Sequence, residues 1–357
     1  MTTPDSTYEW RRKGEHVTEL LMKLTLLTCA ALAGLAAPAV AAPAYTLSKS
    51  LALGAPDRWD YVVVDDATAR VYVAHADHLD VIDGRTGTIV GKVEGIPGGT
   101  HGTVISTVTH QGFTDDGRAG KAVVFDLKTL KVTHQIAADA DADAIALDPV
   151  TGRVFIIEGD PAAITVIDPK SDAVVATIKV GEKLEYGAAD GHGAVFVAGE
   201  EKGDVVKVDT RKNTVAAHWP TSGCLSPHGL ALDPIAHRVF MGCANSVMMV
   251  VDSVSGRTVA KLPIGRGNDA VAFDPVRRRV FSSNGADGTL SVYQESSPDH
   301  YTALEAIQTA VSARTMAVDS KTGRVFVAAA GTDPSPTAGG RPHVRPGTLK
   351  LMMFDPR

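Results

Sequence analysis

Seven ionisable side chains recur at one position of a repeated phrase in this chain: Asp60, His101, Asp143, Glu185, His228, Asp269 and Arg314. Each stands five residues before an anchor, which is Asp65, Ser106, Asp148, Asp190, Asp233, Asp274 or Asp319; the anchors are 41, 42, 42, 43, 41 and 45 residues apart. Four carboxylates brought together repel one another, so something positive must compensate: Arg314, protonated histidines or a bound cation. Mixed carboxylate and imidazole donors suit Zn, Mn or Cu, whereas Ca prefers oxygen alone. His101, Asp143, Glu185, His228 and Asp269 are therefore the candidate metal ligands. Asp60 and Arg314 are candidate ligand-binding residues, and His101 and His228 are the groups best suited to move a proton. The alternative is a hydrated ring of ion pairs that holds no ligand.

The elements that must position these residues follow from the repeat itself. Asp143-Ala-Ile-Ala-Leu-Asp148-Pro-Val-Thr-Gly-Arg-Val-Phe returns as His228-Gly-Leu-Ala-Leu-Asp233-Pro-Ile-Ala-His-Arg-Val-Phe and as Asp269-Ala-Val-Ala-Phe-Asp274-Pro-Val-Arg-Arg-Arg-Val-Phe. Within one unit, four apolar runs (144–147, 153–157, 164–167 and 174–180) are separated by turns rich in Asp, Pro and Gly, the pattern of antiparallel hairpins. Four strands in each period of this length predict a seven-bladed, all-β propeller over residues 44–357. The last unit stops after its third strand, and residues 45–54 match a fourth strand, so the N-terminal strand is expected to complete the last blade and close the ring. In a propeller the first strand of each blade lines the axial channel, which puts the seven ionisable residues at one mouth.

Loops between second and third strands open on the same face and carry His75, Asp77, His78, Asp115, Asp116, Glu158, Asp160, Glu200, Glu201, Asn245, Asn284 and Asp287. Together they make the mouth acidic. Tyr61 and Tyr186, with Trp59, are expected near the ring as a stacking wall, packing between blades being the alternative. The long segment 332–347 of the last blade reads either as a lid bringing Arg341, His343 and Arg345 to this face or as a surface insertion.

At 357 residues, 44% hydrophobic and 21% charged, the chain is too apolar for disorder, and its 34 Gly and 19 Pro fit many turns. Lys plus Arg is 35 against 41 Asp plus Glu, a formal charge of −6 that disfavours a polyanion such as nucleic acid as partner. Residues 22–41 have a short basic start, an apolar run and an Ala-x-Ala end. A signal peptide over residues 1–41, cleaved after Ala41, is expected, with residues 1–21 upstream of a start at Met22 as a variant; a membrane anchor is the competing reading. Periplasmic or secreted localisation follows, with no membrane span in the mature chain.

Of three cysteines, Cys29 leaves with the signal; Cys224 precedes the first strand of blade five and Cys243 follows its second. Adjacent antiparallel strands bring these ends together, which predicts a disulfide; two free thiols near His228 serving as soft copper ligands are the alternative. The chain carries no CxxCH haem site, HExxH helix or GxSxG elbow, three Trp are too few for a quinone (PQQ) propeller, and Gly265–Ala270 joins two strands rather than opening a nucleotide-binding helix.

Val71-Tyr-Val-Ala74, with Val81–Asp83 and Thr86–Val90 one strand later, resembles the YVTN-repeat β-propeller family, and residues 44–357 resemble its YncE-like bacterial exported members. The resemblance implies the fold more than an activity. It also implies single-stranded DNA binding for some members, and related propellers include lactonases and lyases. The leading expectation is an exported, monomeric scaffold or binding protein that takes a small molecule or divalent metal at the channel mouth, with room for a protein partner on that face. A metal-assisted lactonase, hydrolase or lyase using the same ring comes second, and DNA binding third.

Overall fold

Each repeat becomes one four-stranded antiparallel blade because its two middle strands are apolar on both faces. In blade three, Val154–Glu158 and Ala163–Asp168 are almost wholly buried, whereas the outer strand Ala173–Lys179 is mostly exposed. A strand apolar on both faces must be covered on both, which stacking between neighbouring blades achieves. One aromatic per blade fills the gap: Tyr72, Phe113, Phe155, Phe196, Phe240, Phe281 and Phe326 are each no more than 1% exposed. Each such burial contributes about 1.5–3 kcal/mol. The anchor aspartates have a different task. Asp148 accepts from Val150 N and Thr151 N, Asp233 from Ile235 N and Ala236 N, and Asp274 from Val276 N and Arg277 N, so the repeated Asp is a turn-closing residue.

The computed structural model describes residues 44–335 and 342–357. The signal peptide expected over residues 1–41, Cys29 within it, and Arg341 lie outside the described residues. The innermost strands are Val62–Asp65, Thr103–Ser106, Ala142–Leu147, Leu184–Ala189, Pro227–Asp233, Asn268–Asp274 and Thr315–Val318. Each lies against the next, and the seventh against the first, so the fold is a seven-bladed propeller. The N-terminal strand Tyr45–Ala52 pairs antiparallel with Lys350–Pro356, from Tyr45 opposite Pro356 to Ala52 opposite Lys350, and supplies the fourth strand of blade seven. Blade six departs from the regular meander. Its third strand, Thr289–Ser297, turns back into His300–Ala303 and pairs again with Ile307–Gln308, which absorbs the extra residues of the 45-residue repeat.

Cys224 and Cys243 form a disulfide across the top of blade five, with Cα atoms 5.4 Å apart. In the 332–347 segment, Thr332–Asp333 pairs with His343–Val344, so its described base is a short hairpin. Gly347 N and Thr348 N donate to Asp57 below it. Among the described residues no helix is long and apolar enough to cross a membrane.

Removing one inter-blade aromatic leaves a cavity that neighbouring rigid strands fill poorly. Phe240→Ala is expected to lower unfolding free energy by about 3–5 kcal/mol in urea titrations. Val254→Ala, at an exposed turn, should stay within about 0.5 kcal/mol of wild type.

Candidate functional site

Residues at equivalent repeat positions reach equal height only if the innermost strands keep one register, and here they do. The seven ring residues precede or begin those strands and influence one another's charge across the axis. Asp60 senses His101, Arg314, Asp269 and Glu185, from blades two, seven, six and four. The groups nevertheless divide into distinct sets.

Glu185, His228 and Asp269 form a converging trio with ligand atoms within 4.8 Å of one another. His228 Nδ1 is 3.3 Å from Glu185 Oε1 and 3.9 Å from Asp269 Oδ1. Its Nε2 lies 3.4 Å from Ser226 Oγ, which itself donates to Glu200 at 3.1 Å. Desolvation opposes a charge on His228, but Glu185 and then Asp269 outweigh it and raise the imidazole above its ordinary value. Arg314 stands beside the trio and holds the other Asp269 oxygen at 3.2 Å. Its guanidinium also donates to Trp59 O at 2.9 Å and lies over the Trp59 ring.

His101 belongs to another arrangement. Its Nδ1 is 2.7 Å from Asp115 Oδ2, while Asp115 Oδ1 accepts from the backbone N–H of His101 and Gly102, each at 2.9 Å. Nε2 faces Arg58 Nη2 at 3.3 Å. A fully buried carboxylate that fixes a partly open imidazole is the geometry of a base and its orienting group. Burial disfavours the imidazolium, but Asp115, then Asp60 and Asp143, hold His101 at about 9. Asp143 is pushed up to about 8 by burial first, then by Glu185 and Asp141, and Asp60 to about 7 by burial, against the pull of His101 and Arg314. His101 and Asp143 belong to none of the three-ligand clusters among the described residues.

Directly below the ring, Tyr61 and Tyr186 meet with ring centroids 4.5 Å apart. They come from blades one and four, which are not neighbours, so the contact crosses the axis and gives the mouth a floor. The repeat explains how two large rings fit. The position after each ring residue is Tyr61, Gly102, Ala144, Tyr186, Gly229, Ala270 and Thr315, two tyrosines among five small residues. A Cβ on Gly102 would lie 2.8 Å from Ile145 Cγ2, and one on Gly229 would lie 2.4 Å from Val271 N, each on the next blade's inner strand. Burial first, and Glu185 next, raise the Tyr61 hydroxyl well above its ordinary value, so the floor is neutral phenol.

The loop residues largely satisfy local partners. His75 is completely buried, with Nδ1 2.7 Å from Asp80 and Nε2 on Pro56 O, and its ring lies against His78. His78 Nδ1 pairs with Asp77 at 2.9 Å. Glu200 meets Lys183 at 3.1 Å, Asp287 meets Arg266 at 2.8 Å, and Glu158 accepts from Asp139 N at 2.9 Å. Asn284 joins Thr289 and Ser291, and Asn245 bonds Leu225 N and Gly223 O. Asp80, Arg58 and the pairing of Asp115 with His101 were not anticipated. Position in the repeat sets height above the sheet, whereas these contacts depend on which neighbour a side chain turns towards.

No family model matches the chain. An uncharacterised protein YncE of Salmonella typhimurium is 25% identical over 172 residues, which is 46% of this chain and 48% of that protein. The chain thus matches about half the length of this curated relative. Among solved structures, the RRP9 WD40 repeats superpose with a TM-score of 0.75 at 12% identity, covering 88% of this chain and all of that one. Kuenenia stuttgartiensis hydrazine synthase superposes with a TM-score of 0.66 at 11% identity, covering 75% of this chain and 91% of that one. At such identities the likeness is one of fold.

The ring makes stability depend on pH with a definite sign. Asp60, Asp143 and His101 all have folded values above their unfolded ones, so between about pH 4 and 9 the folded protein holds protons that the unfolded chain has released. Their contribution is complete below the unfolded values and is lost as pH rises through about 7, 8 and 9 respectively. Melting temperature is therefore expected to decline from pH 5 to pH 9 in scanning calorimetry, and Asp143→Asn to flatten that decline. A curve that rises over this interval would contradict the assignment.

Proposed function

We propose that this chain is an exported β-propeller that binds a divalent cation, or a small ligand bearing positive charge, in the cup above the Tyr61–Tyr186 floor. One observation carries the reading: Glu185, His228 and Asp269 converge from three consecutive blades onto one point of the mouth. Two carboxylates and an imidazole match borderline divalent metals. Arg314 fixes Asp269 from the side, an arrangement that orients a ligand without occupying the centre. Glu185 would supply a monodentate oxygen and His228 its Nδ1, and the phenolic floor would bound the ligand below.

The Cys224–Cys243 disulfide supports an oxidising compartment, in keeping with the export segment read at residues 22–41. The formal charge of −6 and the carboxylate-rich mouth weigh against nucleic acid as the ligand. A monomer with this face free for ligand or partner is the accompanying proposal.

A second reading, hydrolysis or elimination on a small carbonyl substrate such as a lactone, draws on the Asp115–His101 pair. There His101 would move the proton and a cation on the Glu185 trio would polarise the carbonyl.

Isothermal titration of tag-free protein with Zn²⁺ and Mn²⁺ tests the primary reading. Binding at the mouth should weaken by more than about tenfold in Glu185→Gln and His228→Ala. His101→Ala should leave affinity unchanged; turnover of a lactone and ester panel that this variant abolishes would establish the second reading. Wild type that takes up neither metal at the mouth would overturn the metal form of the first and leave only the cationic ligand, and single-stranded DNA binding with steep salt dependence would overturn it altogether.

A further inference from the structure

Blade four carries a convergence of donors away from the ring; among the described residues the other such set outside the ring is the buried His75, His78 and Asp80 of blade one, where His75 already bonds Asp80 and Pro56. Glu182 lies in the turn before the innermost strand, Asp204 begins the third strand Asp204–Asp209, and His218 sits in the outer strand Thr214–Pro220. His218 is opposite Val206, two residues beyond Asp204, so the two side chains are diagonal neighbours on one face. Glu182 and Asp204 are 2% and 3% exposed.

A single nitrogen, His218 Nδ1, faces both carboxylates: Glu182 Oε1 at 3.1 Å and Asp204 Oδ2 at 3.0 Å. One N–H proton must thus serve two buried carboxylates, and Asp204 Oδ1, also buried, is left without a donor unless Glu182 is protonated, which burial and the neighbouring Asp204 favour. Burying two carboxylates this way is costly unless they share a proton or a positive charge lies between them, and a cation that displaces the proton satisfies both. With metal–ligand bonds of about 2.0–2.2 Å, tetrahedral donor atoms stand about 3.3–3.6 Å apart, so the hydrogen-bonded spacing of 3.1 and 3.0 Å need open only slightly to admit an ion. The three donors lie within 4.8 Å of one another.

The backbone makes room for this cluster. Gly199 is paired directly with Asp204, and a Cβ there would fall 2.1 Å from Asp204 Oδ1 and 2.5 Å from Glu182 Oε2. The second strand of every other blade ends in a side chain, His75, Asp116, Glu158, Cys243, Asn284 or Ala329, so the glycine is peculiar to the blade that gathers these carboxylates. Access is open, because the His218 side chain is about a third exposed (35%). Lys202 is the competing cation, with Nζ 3.7 Å from Glu182 Oε1 and 3.2 Å from Gly181 O, on a side chain exposed enough to swing away.

We propose that Glu182, Asp204 and His218 form a second divalent-metal site, on the outer part of blade four, that takes a Zn²⁺-like cation and ties the innermost, third and outer strands together. Its ligands come from three segments of one blade, so the bound ion acts as a local staple. Water completes the coordination on the exposed side of His218.

The experiment must isolate this site from the mouth. In a Glu185→Gln/His228→Ala background, tag-free protein is titrated with Zn²⁺ by calorimetry, and with Co²⁺ to read the visible absorption of the bound ion. A site that depends on His218 is expected, separable by that dependence from any uptake at His75, His78 and Asp80, together with a Zn²⁺-dependent rise in melting temperature. His218→Ala should abolish both, circular dichroism confirming the fold, and Lys202→Ala should tighten binding severalfold by removing the competitor. Should His218→Ala misfold, Glu182→Gln serves as the second variant. Absence of Zn²⁺ uptake in the background protein, uptake unchanged by His218→Ala or Glu182→Gln, or loss of binding in Lys202→Ala would overturn the proposal. Because the mouth is disabled throughout, the outcome does not depend on the function proposed for it.

Discussion

Closure of the ring is the constraint from which the site follows. A chain of blades stacked in an open row would leave its inner strands side by side, with their first residues pointing along a line. Pairing of Tyr45–Ala52 with Lys350–Pro356 bends that row into a circle, and only then do Asp60 and Arg314 stand next to each other. The same hydrogen bonds cover the strand edges that would otherwise be open to other chains. The aromatics between blades set the spacing, and the turn-closing aspartates hold the hairpins, but neither makes side chains from opposite ends of the sequence meet.

The ring then handles its own charge in two ways. On one side Arg314, Asp269, His228 and Glu185 form a chain of alternating sign, open to solvent and arranged around a point. On the other, Asp60 and Asp143 are held towards their neutral forms beside a His101 that stays charged to high pH. Equivalent positions in a repeat have thus acquired unlike roles because their neighbours differ, Asp115 for His101 and Arg314 for Asp269.

The sequence made much of this architecture legible. Repeat spacing gave the blade count, the incomplete last unit gave the closure, and the two cysteines fell where adjacent strand ends meet. Register also named the ring residues, because period and strand direction together determine height. Side-chain direction was not legible. Asp115 turns to His101, whereas the next position along the strand, held by His75 and Glu158 in blades one and three, turns into its own blade. Burial of both faces can be read from an apolar run, but the Gly199 vacancy above Glu182 and Asp204 depends on a contact between residues far apart in sequence. The crossing of Tyr61 and Tyr186 was closer to reach, since aligning the seven units at that position shows two large residues among small ones.

That aromatic floor has a kinetic consequence. A propeller with a clear bore would let solutes arrive from one face and depart by the other, whereas a cup has a single doorway. For a ligand bound as proposed, arrival and departure would share one path, and a tenant would have to leave before its successor is admitted. Such a vestibule would suit retention over throughput, with occupancy set by access at that one rim.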